Sequence, residues 1–275
     1  MDRDCYAEHA RYVAVPDAVL CCRDAGSGPC IVLVHGWLLD HTLWDFVAAR
    51  LARDLRIVRW DRRGCGRSTG VPSLHDDAID VIRVLDRLEI GRATIVGMSQ
   101  GARIALQVAC TAAERLDCLV LDGAPAIDGL PGGPWERDTP LEEYRALLQE
   151  RGIEALRARL ASHPITQLCT QDPIARDTVA AMLERYSGAD LANPASHVEN
   201  DAITSVARIE TPALIVNGEF DSAQRLRVGE ALRRAIPKAQ RQIVPGAGHL
   251  ACIDAPEAYA TTLIEFLKPH LHAWA

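Results

Sequence analysis

The stretch ATIVGMSQGARIALQVA, residues 93–109, decides how this sequence folds. It opens on a short apolar run, passes through Gly97-Met98-Ser99-Gln100-Gly101, and continues into a segment with the apolar spacing of a helix. A serine between two glycines, at the end of a strand and the start of a helix, needs a sharp backbone turn. That turn lifts the hydroxyl above the sheet and crowds the positions two residues to either side, so they carry almost no side chain. The following helix adds the positive end of its dipole beside the serine. The pentapeptide alone recurs by chance; its place between ATIV and ARIALQVA gives it weight. Ser99 is therefore the candidate nucleophile.

Working outward, short apolar runs alternate with longer amphipathic ones, the pattern of a mostly parallel sheet covered by helices. The expected strands are CIVLVHG (30–36), RIVRWD (56–61), ATIVGM (93–98), CLVLDG (118–123), ALIVNG (213–218) and RQIVPG (241–246). Their near-continuous Val, Ile and Leu suits strands buried on both faces. RYVAV (11–15) and AVLCC (18–22) predict an antiparallel start around Pro16-Asp17. Helices are expected at 41–52, 76–88, 102–112, 223–236 and 256–270, the last with Pro at its first turn. In the second, Ile79, Ile82, Leu85 and Leu88 are expected to share the buried face. Between 126 and 208 the strand rhythm stops. The chain turns helical after PGGP (131–134), in LEEYRALLQERG, IEALRARLA and DPIARDTVAAMLERY. The predicted organisation is an α/β core of residues 1–125 and 209–275 with a helical cap inserted at 126–208.

Composition bounds the function. The chain has 275 residues, 48% of them hydrophobic, and a net charge of −7, enough for one large core behind an acidic surface. Such a surface repels phosphate backbones and anionic lipid, so neither nucleic acid nor a membrane is the expected partner. The basic run at Arg151, Arg157 and Arg159 reads as the solvated face of a helix. No apolar leader is visible in MDRDCYAEHARY, and no run of about 18 apolar residues could span a bilayer. Nine cysteines without a C-x-x-C pair fit reduced side chains in a cytoplasmic protein. No His, Asp and Glu cluster shows metal-ligand spacing, and the one glycine-bounded strand-to-helix turn is taken by the serine. Neither a metal nor an organic cofactor is expected.

Four stretches in order, HGW (35–37), DRRGCGRS (61–68), GMSQG (97–101) and NGEFD (217–221) with GAGH (246–249), resemble the α/β-hydrolase superfamily, in its esterase-like branch with a helical cap. The resemblance runs from about residue 11 to about residue 270. It implies His249 as general base, an imidazole that takes the serine proton and returns it to the leaving group. It implies Asp221 as the acid that orients the histidine, with Asp122 in LVLDGAP as the rival for that role. Asp122 is otherwise read as a strand-end residue satisfying loop N–H groups. The backbone N–H groups of Trp37 and Gln100 are implied as the oxyanion hole. His35 is implied to be structural, and DRRGCGRS to be a structural turn, since it lacks the order of a phosphate-binding loop. The activity implied is hydrolysis of a small or medium carboxylic ester or lactone through an acyl-enzyme. The same triad also serves C–C bond hydrolases of aromatic-ring degradation, and the same scaffold can serve as a ligand receptor with slow or no turnover.

Overall fold

The computed structural model describes residues 8–133, 135, 138–193 and 206–271. The expected cap therefore includes residues 134, 136, 137 and 194–205, which lie outside the described residues, as do the expected core's residues 1–7 and 272–275. Eight strands form one sheet: β1 (Glu8–Val15), β2 (Ala18–Ala25), β3 (Cys30–Val34), β4 (Arg56–Trp60), β5 (Ala93–Met98), β6 (Leu116–Asp122), β7 (Ala213–Gly218) and β8 (Ala239–Val244). The spatial order is β1-β2-β4-β3-β5-β6-β7-β8. β1 and β2 form an antiparallel hairpin whose turn uses Asp17 at φ 59°; β2 meets β4 antiparallel, and every later pairing is parallel. The all-apolar runs fill the centre. β3, β5 and β7 are buried at every position, whereas the edge strand β8 is largely exposed.

The topology fixes where a site can form. From β3 the chain moves outward to β4, then returns to the other side of β3 to lay down β5, β6, β7 and β8. The carboxyl ends of β3 and β5 are thus neighbours whose loops leave in opposite directions, which opens a crevice at that switch point. His35-Gly36-Trp37 follows β3, and Ser99 follows β5.

Helices α1 (Asp45–Leu51), α2 (Leu74–Arg87), α3 (Gln100–Thr111), α7 (Ala223–Ala235) and, after the single turn α8 (Ala251–Asp254), α9 (Pro256–Leu267) lie near their expected positions. α2 differs in its facing. Its buried positions are Leu74, Asp77, Ala78, Asp80, Val81, Val84 and Leu85, while Ile79 and Ile82 are only half-buried. Two aspartates occupy the inward face because two arginines wait there: Arg62 Nη1 lies 3.0 Å from Asp77, and Arg63 Nε lies 2.5 Å from Asp80. Pairing a buried guanidinium outweighed the apolar periodicity.

Between β6 and β7 the described residues contain α4 (Leu141–Ala161), α5 (Pro173–Arg185) and the short α6 (Ala189–Ala192), and none of them joins the sheet. α4 is two helices meeting at Gly152, whose φ of 77° and ψ of −179° break the ladder. Of its arginines, Arg151 and Arg159 are exposed, but Arg157 is half-buried and its guanidinium donates to the Tyr186 carbonyl. The eight cysteines among the described residues are free thiols, and five are buried as small apolar side chains; Cys169 is exposed. No helix among the described residues is long and apolar enough to cross a membrane.

The turn at Ser99 leaves no room for a methyl group. A Cβ on Gly97 would lie 2.1 Å from the Gly101 carbonyl oxygen, and one on Gly101 would lie 2.3 Å from that of Val34. Both obstacles are backbone and cannot swing aside. Gly101→Ala should therefore cost about 1–3 kcal/mol. Urea denaturation reads this as a lowered midpoint, and an unchanged midpoint would contradict the packing described.

Candidate active site

Ser99 stands between β5 and α3 at φ 54° and ψ −117°, a conformation that L-residues rarely adopt. Its N–H donates to the Asp122 carbonyl oxygen at 2.7 Å, which fixes the turn against β6. A Cβ on Gly36 would meet Met98 Sδ at 2.8 Å and Ser99 Cβ at 3.1 Å, so the loop after β3 lies directly on the nucleophile turn. Gln100 is the first residue of α3, and its N–H precedes the helical ladder.

The surroundings of Trp37 and Gln100 are braced by one arginine. Arg62 donates to the Gln100 side-chain carbonyl at 2.6 Å, to the Gly36 carbonyl at 3.2 Å and to Asp77 at 3.0 Å. His35 is fully buried beneath them. Its Nε2 accepts from the Arg62 backbone N–H at 2.9 Å, so the proton sits on Nδ1, which donates to the Gly36 carbonyl at 2.8 Å. Burial, reinforced by the Arg62 charge, pushes its pKa down to about 4, and both ring nitrogens are spent on holding the loop. The Trp37 indole lines the cavity beside Ser99 and donates to Asp190 at 2.6 Å; its ring stacks on Tyr144.

His249 follows β8 and Asp221 follows β7. The His249 Nδ1–H donates to Asp221 Oδ1 at 3.1 Å. That carboxylate also accepts from the Ser222 N–H at 2.8 Å and, at 3.4 Å, from Asn217 Nδ2. Burial would raise its pKa, but His249, Arg225 and the Ser222 amide outweigh this and hold it below the ordinary range. Gly123 at φ 53° makes room for the pair: a Cβ there would lie 2.8 Å from His249 Cε1. His249 Nε2 is buried and has no hydrogen-bond partner among the described residues.

Asp122 corrects one expectation. It is fully buried, yet neither carboxylate oxygen has a hydrogen-bond partner among the described residues, so it satisfies no loop N–H group. Burial drives its pKa well above the ordinary value, and the nearby Asp221 charge adds to this. The Tyr259 hydroxyl and Arg225 offset it only in part, and Tyr259 lies outside hydrogen-bond geometry.

Two residues at Ser99 were not expected from the sequence. Arg225, on α7, is 3% exposed, and its Nη1 donates to Ser99 Oγ at 3.0 Å and to the Gly123 carbonyl at 2.5 Å. Its other edge grips Asp138 at 2.6 and 3.1 Å. A signal existed. Arg225 is the third residue of its helix, where the dipole disfavours a cation, and such local conflicts tend to mark sites. Nothing local marks Asp138, which is 87 residues away in sequence.

Folding also gathers Asp40, His41 and Asp61, whose potential ligand atoms lie within 4.8 Å of one another, although the sequence shows no metal-like spacing. Their lone pairs are already used. Asp61 accepts from the His41 ring, the His41 N–H and the Arg67 N–H; Asp40 accepts from Thr42 and Arg185; and His41 Nε2 takes the Arg23 Nε–H at 3.4 Å. With Arg59 also lining the pocket, this donor set suits hydrogen bonding rather than a cation.

The chain belongs to the α/β-hydrolase fold family, whose sequence model matches residues 29–256. It is 27% identical to a pimeloyl-[acyl-carrier protein] methyl ester esterase of Pectobacterium carotovorum, over 86% of this chain and 94% of that one. The enol-lactonase of Burkholderia xenovorans LB400 superposes with a TM-score of 0.76 and 25% identity, covering 94% of this chain and all (100%) of the other. A thermophilic esterase from Thermogutta terrifontis shares the fold, with a TM-score of 0.80 and 24% identity over 97% of this chain and 99% of its own.

Burial, then the Arg225 charge, lowers the His249 pKa, and Asp221 only partly restores it. The ring should be neutral at pH 7 and take its second proton below the ordinary value of about 6.5. An NMR titration of its Cε1–H reads this directly; a midpoint above that value would contradict the electrostatics described.

Proposed function

We propose that this protein is a serine hydrolase that cleaves a small or medium carboxylic ester or lactone through an acyl-enzyme. Ser99 is the nucleophile, His249 the general base, Asp221 the acid that orients it, and the Trp37 and Gln100 N–H groups form the oxyanion hole. One observation carries the reading. A serine in a strained turn is joined through Arg225 to Gly123, and Gly123 packs on a buried histidine whose Nδ1 is tied to a buried carboxylate. The names of the Pectobacterium and Burkholderia relatives describe a methyl ester esterase and an enol-lactonase, and the proposal carries that class of substrate to this chain.

In the proposed reaction the Ser99 Oγ–H proton passes to His249 Nε2 as Oγ adds to the carbonyl carbon. The resulting oxyanion accepts from the two backbone N–H groups. Collapse expels the alkoxide, which takes the proton from His249. Water then gives a proton to His249 and adds to the acyl carbon, and the C–Oγ bond breaks with return of the proton to Ser99. The cavity at Ser99 holds only about 80 Å³ and is lined by Trp37, Leu141 and Ile165 as well as polar groups, which suits a compact acyl group. Residues 126–208 act as the cap over it in this reading, contributing Asp138, Leu141 and Ile165 to the lining.

Ser99→Ala should abolish turnover of short chromogenic esters and lactones while leaving thermal unfolding in place; a residual rate above about one per cent of wild type would refute the nucleophile. A panel that includes a vinylogous diketone separates ester from C–C bond cleavage, and binding without turnover would point to a receptor. Asp221→Asn should lower kcat on the order of ten-thousand-fold, as the corresponding change does in a serine protease. Asp122→Asn should leave kcat within a few-fold. Because the folded state raises the Asp122 pKa, the contribution of Asp122 to stability falls as pH rises above about 4. The Asn variant lacks that loss and should gain on wild type between pH 4 and 7. An inactive Asp122→Asn beside an active Asp221→Asn would transfer the orienting role to β6.

A further inference from the structure

The hydrogen bond of the nucleophile goes to an arginine, a feature that the proposed triad and oxyanion hole do not require. Arg225 Nη1 is 3.0 Å from Ser99 Oγ, and the guanidinium is held in place from two sides, by the Gly123 carbonyl and by the bidentate Asp138 carboxylate. For stability alone, an apolar side chain of similar volume would serve as well as a buried ion pair. The first turn of α7 is also an unfavourable place for a cation. The fold tolerates both costs, and the result is a positive donor on the reacting oxygen.

We propose that Arg225 is a catalytic residue that stabilises the negative charge Ser99 Oγ develops, above all as this oxygen leaves the acyl group in deacylation. The inference rests on the serine-hydrolase reading. In acylation the hydrogen bond works in two directions. It eases transfer of the Oγ proton to His249 Nε2, but it also draws electron density from the attacking oxygen, so the effects partly cancel. In deacylation water loses a proton to His249 Nε2 and adds to the carbonyl carbon. The tetrahedral intermediate collapses, the C–Oγ bond pair moves onto Oγ, and His249 returns the proton to it. Here Oγ is only a leaving group, and a donor on it only helps. Arg225 keeps its own protons throughout, since a guanidinium does not deprotonate in proteins. Asp138 keeps the fork aimed and neutralises the site, so the donor adds no net charge to a buried cavity.

The test follows the acyl-enzyme in time. With a chromogenic acetate ester, wild type and Arg225→Met are compared by burst kinetics and by intact-mass spectrometry of the Ser99 adduct. Arg225→Met should lower the deacylation constant by about 100-fold, the usual loss for one charge-stabilising donor, with a much smaller change in acylation. The acyl adduct then accumulates and the burst becomes pronounced. Arg225→Lys, which restores a cationic donor, should recover part of the rate. The double variant Arg225→Met with Asp138→Asn leaves no lone carboxylate behind and serves if the single change does not fold. A folded variant with wild-type deacylation, or one whose loss lies wholly in KM, overturns the proposal. If wild-type Ser99 takes neither a fluorophosphonate label nor an acyl adduct, the serine-hydrolase reading falls and this inference with it. A labelled Ser99 with unaltered deacylation in Arg225→Met removes only the role of the arginine.

Discussion

A non-glycine residue held at φ 54° and ψ −117° is the constraint on which the rest of the molecule depends. Such a backbone costs of order 1–3 kcal/mol and persists only where its surroundings over-determine it. Here they do. The Ser99 N–H is bonded to the end of β6, Gly97 and Gly101 let the turn close on itself, and Gly36 lets the β3 loop rest on it. These contacts tie the turn to β6 on one side and to β3 and its loop on the other, so the sheet order and the serine conformation specify one another. The crevice between β3 and β5 then receives the hydroxyl because the topology leaves no helix crossing it.

What lies over that crevice is attached by polar clamps. The Trp37 indole and the Tyr186 hydroxyl share the Asp190 carboxylate, at 2.6 and 2.7 Å. Arg185 reaches Asp40 at 2.7 Å. Asp254, beside the histidine loop, accepts from the Cys169, Thr170 and Gly248 amides. Arg225 and Asp138 form a further clamp, at the nucleophile itself. Pairs of this kind add little net stability, because desolvation offsets most of the attraction, but a wrong pairing would strand a buried charge. They favour one placement of the helices over others, and Trp37 carries that placement into the loop after β3.

The sheet was legible because its strands are unbroken apolar runs that only a doubly covered sheet can bury, and the nucleophile turn because its steric demands are written in two glycines. Asp221 and His249 were reachable through the resemblance, since NGEFD and GAGH sit after strands in the expected order. The facing of α2 was misread for a physical reason: periodicity counts Asp77 and Asp80 as solvent-facing, and only the positions of Arg62 and Arg63 show otherwise. Asp138 was silent for a related one. It is an ordinary charged residue in its own segment, Arg225 stands out only as a cation in the first turn of a helix, and the chemistry exists only once folding joins the two across 87 residues of chain.

The carboxylates Asp221 and Asp122 show how environment assigns roles. Asp221 accepts from the His249 ring, the Ser222 amide and Asn217, and its pKa is held down; Asp122 has no donor among the described residues, and burial drives its pKa up. Two anions so close would repel, so the protein ionises the one whose charge it can solvate. The imidazole therefore sees the negative charges of Asp221 and, more weakly, Asp138, and the positive charge of Arg225, within a buried setting. At rest it is neutral and can accept a proton. Once protonated it is steadied by Asp221 on its Nδ1 side but opposed by burial and by the Arg225 charge. Such an imidazolium is a stronger acid than a free one, and in the proposed reaction its proton must return quickly, first to the departing alkoxide and then to Ser99. The lowered pKa that makes His249 available as a base also speeds the return of the proton.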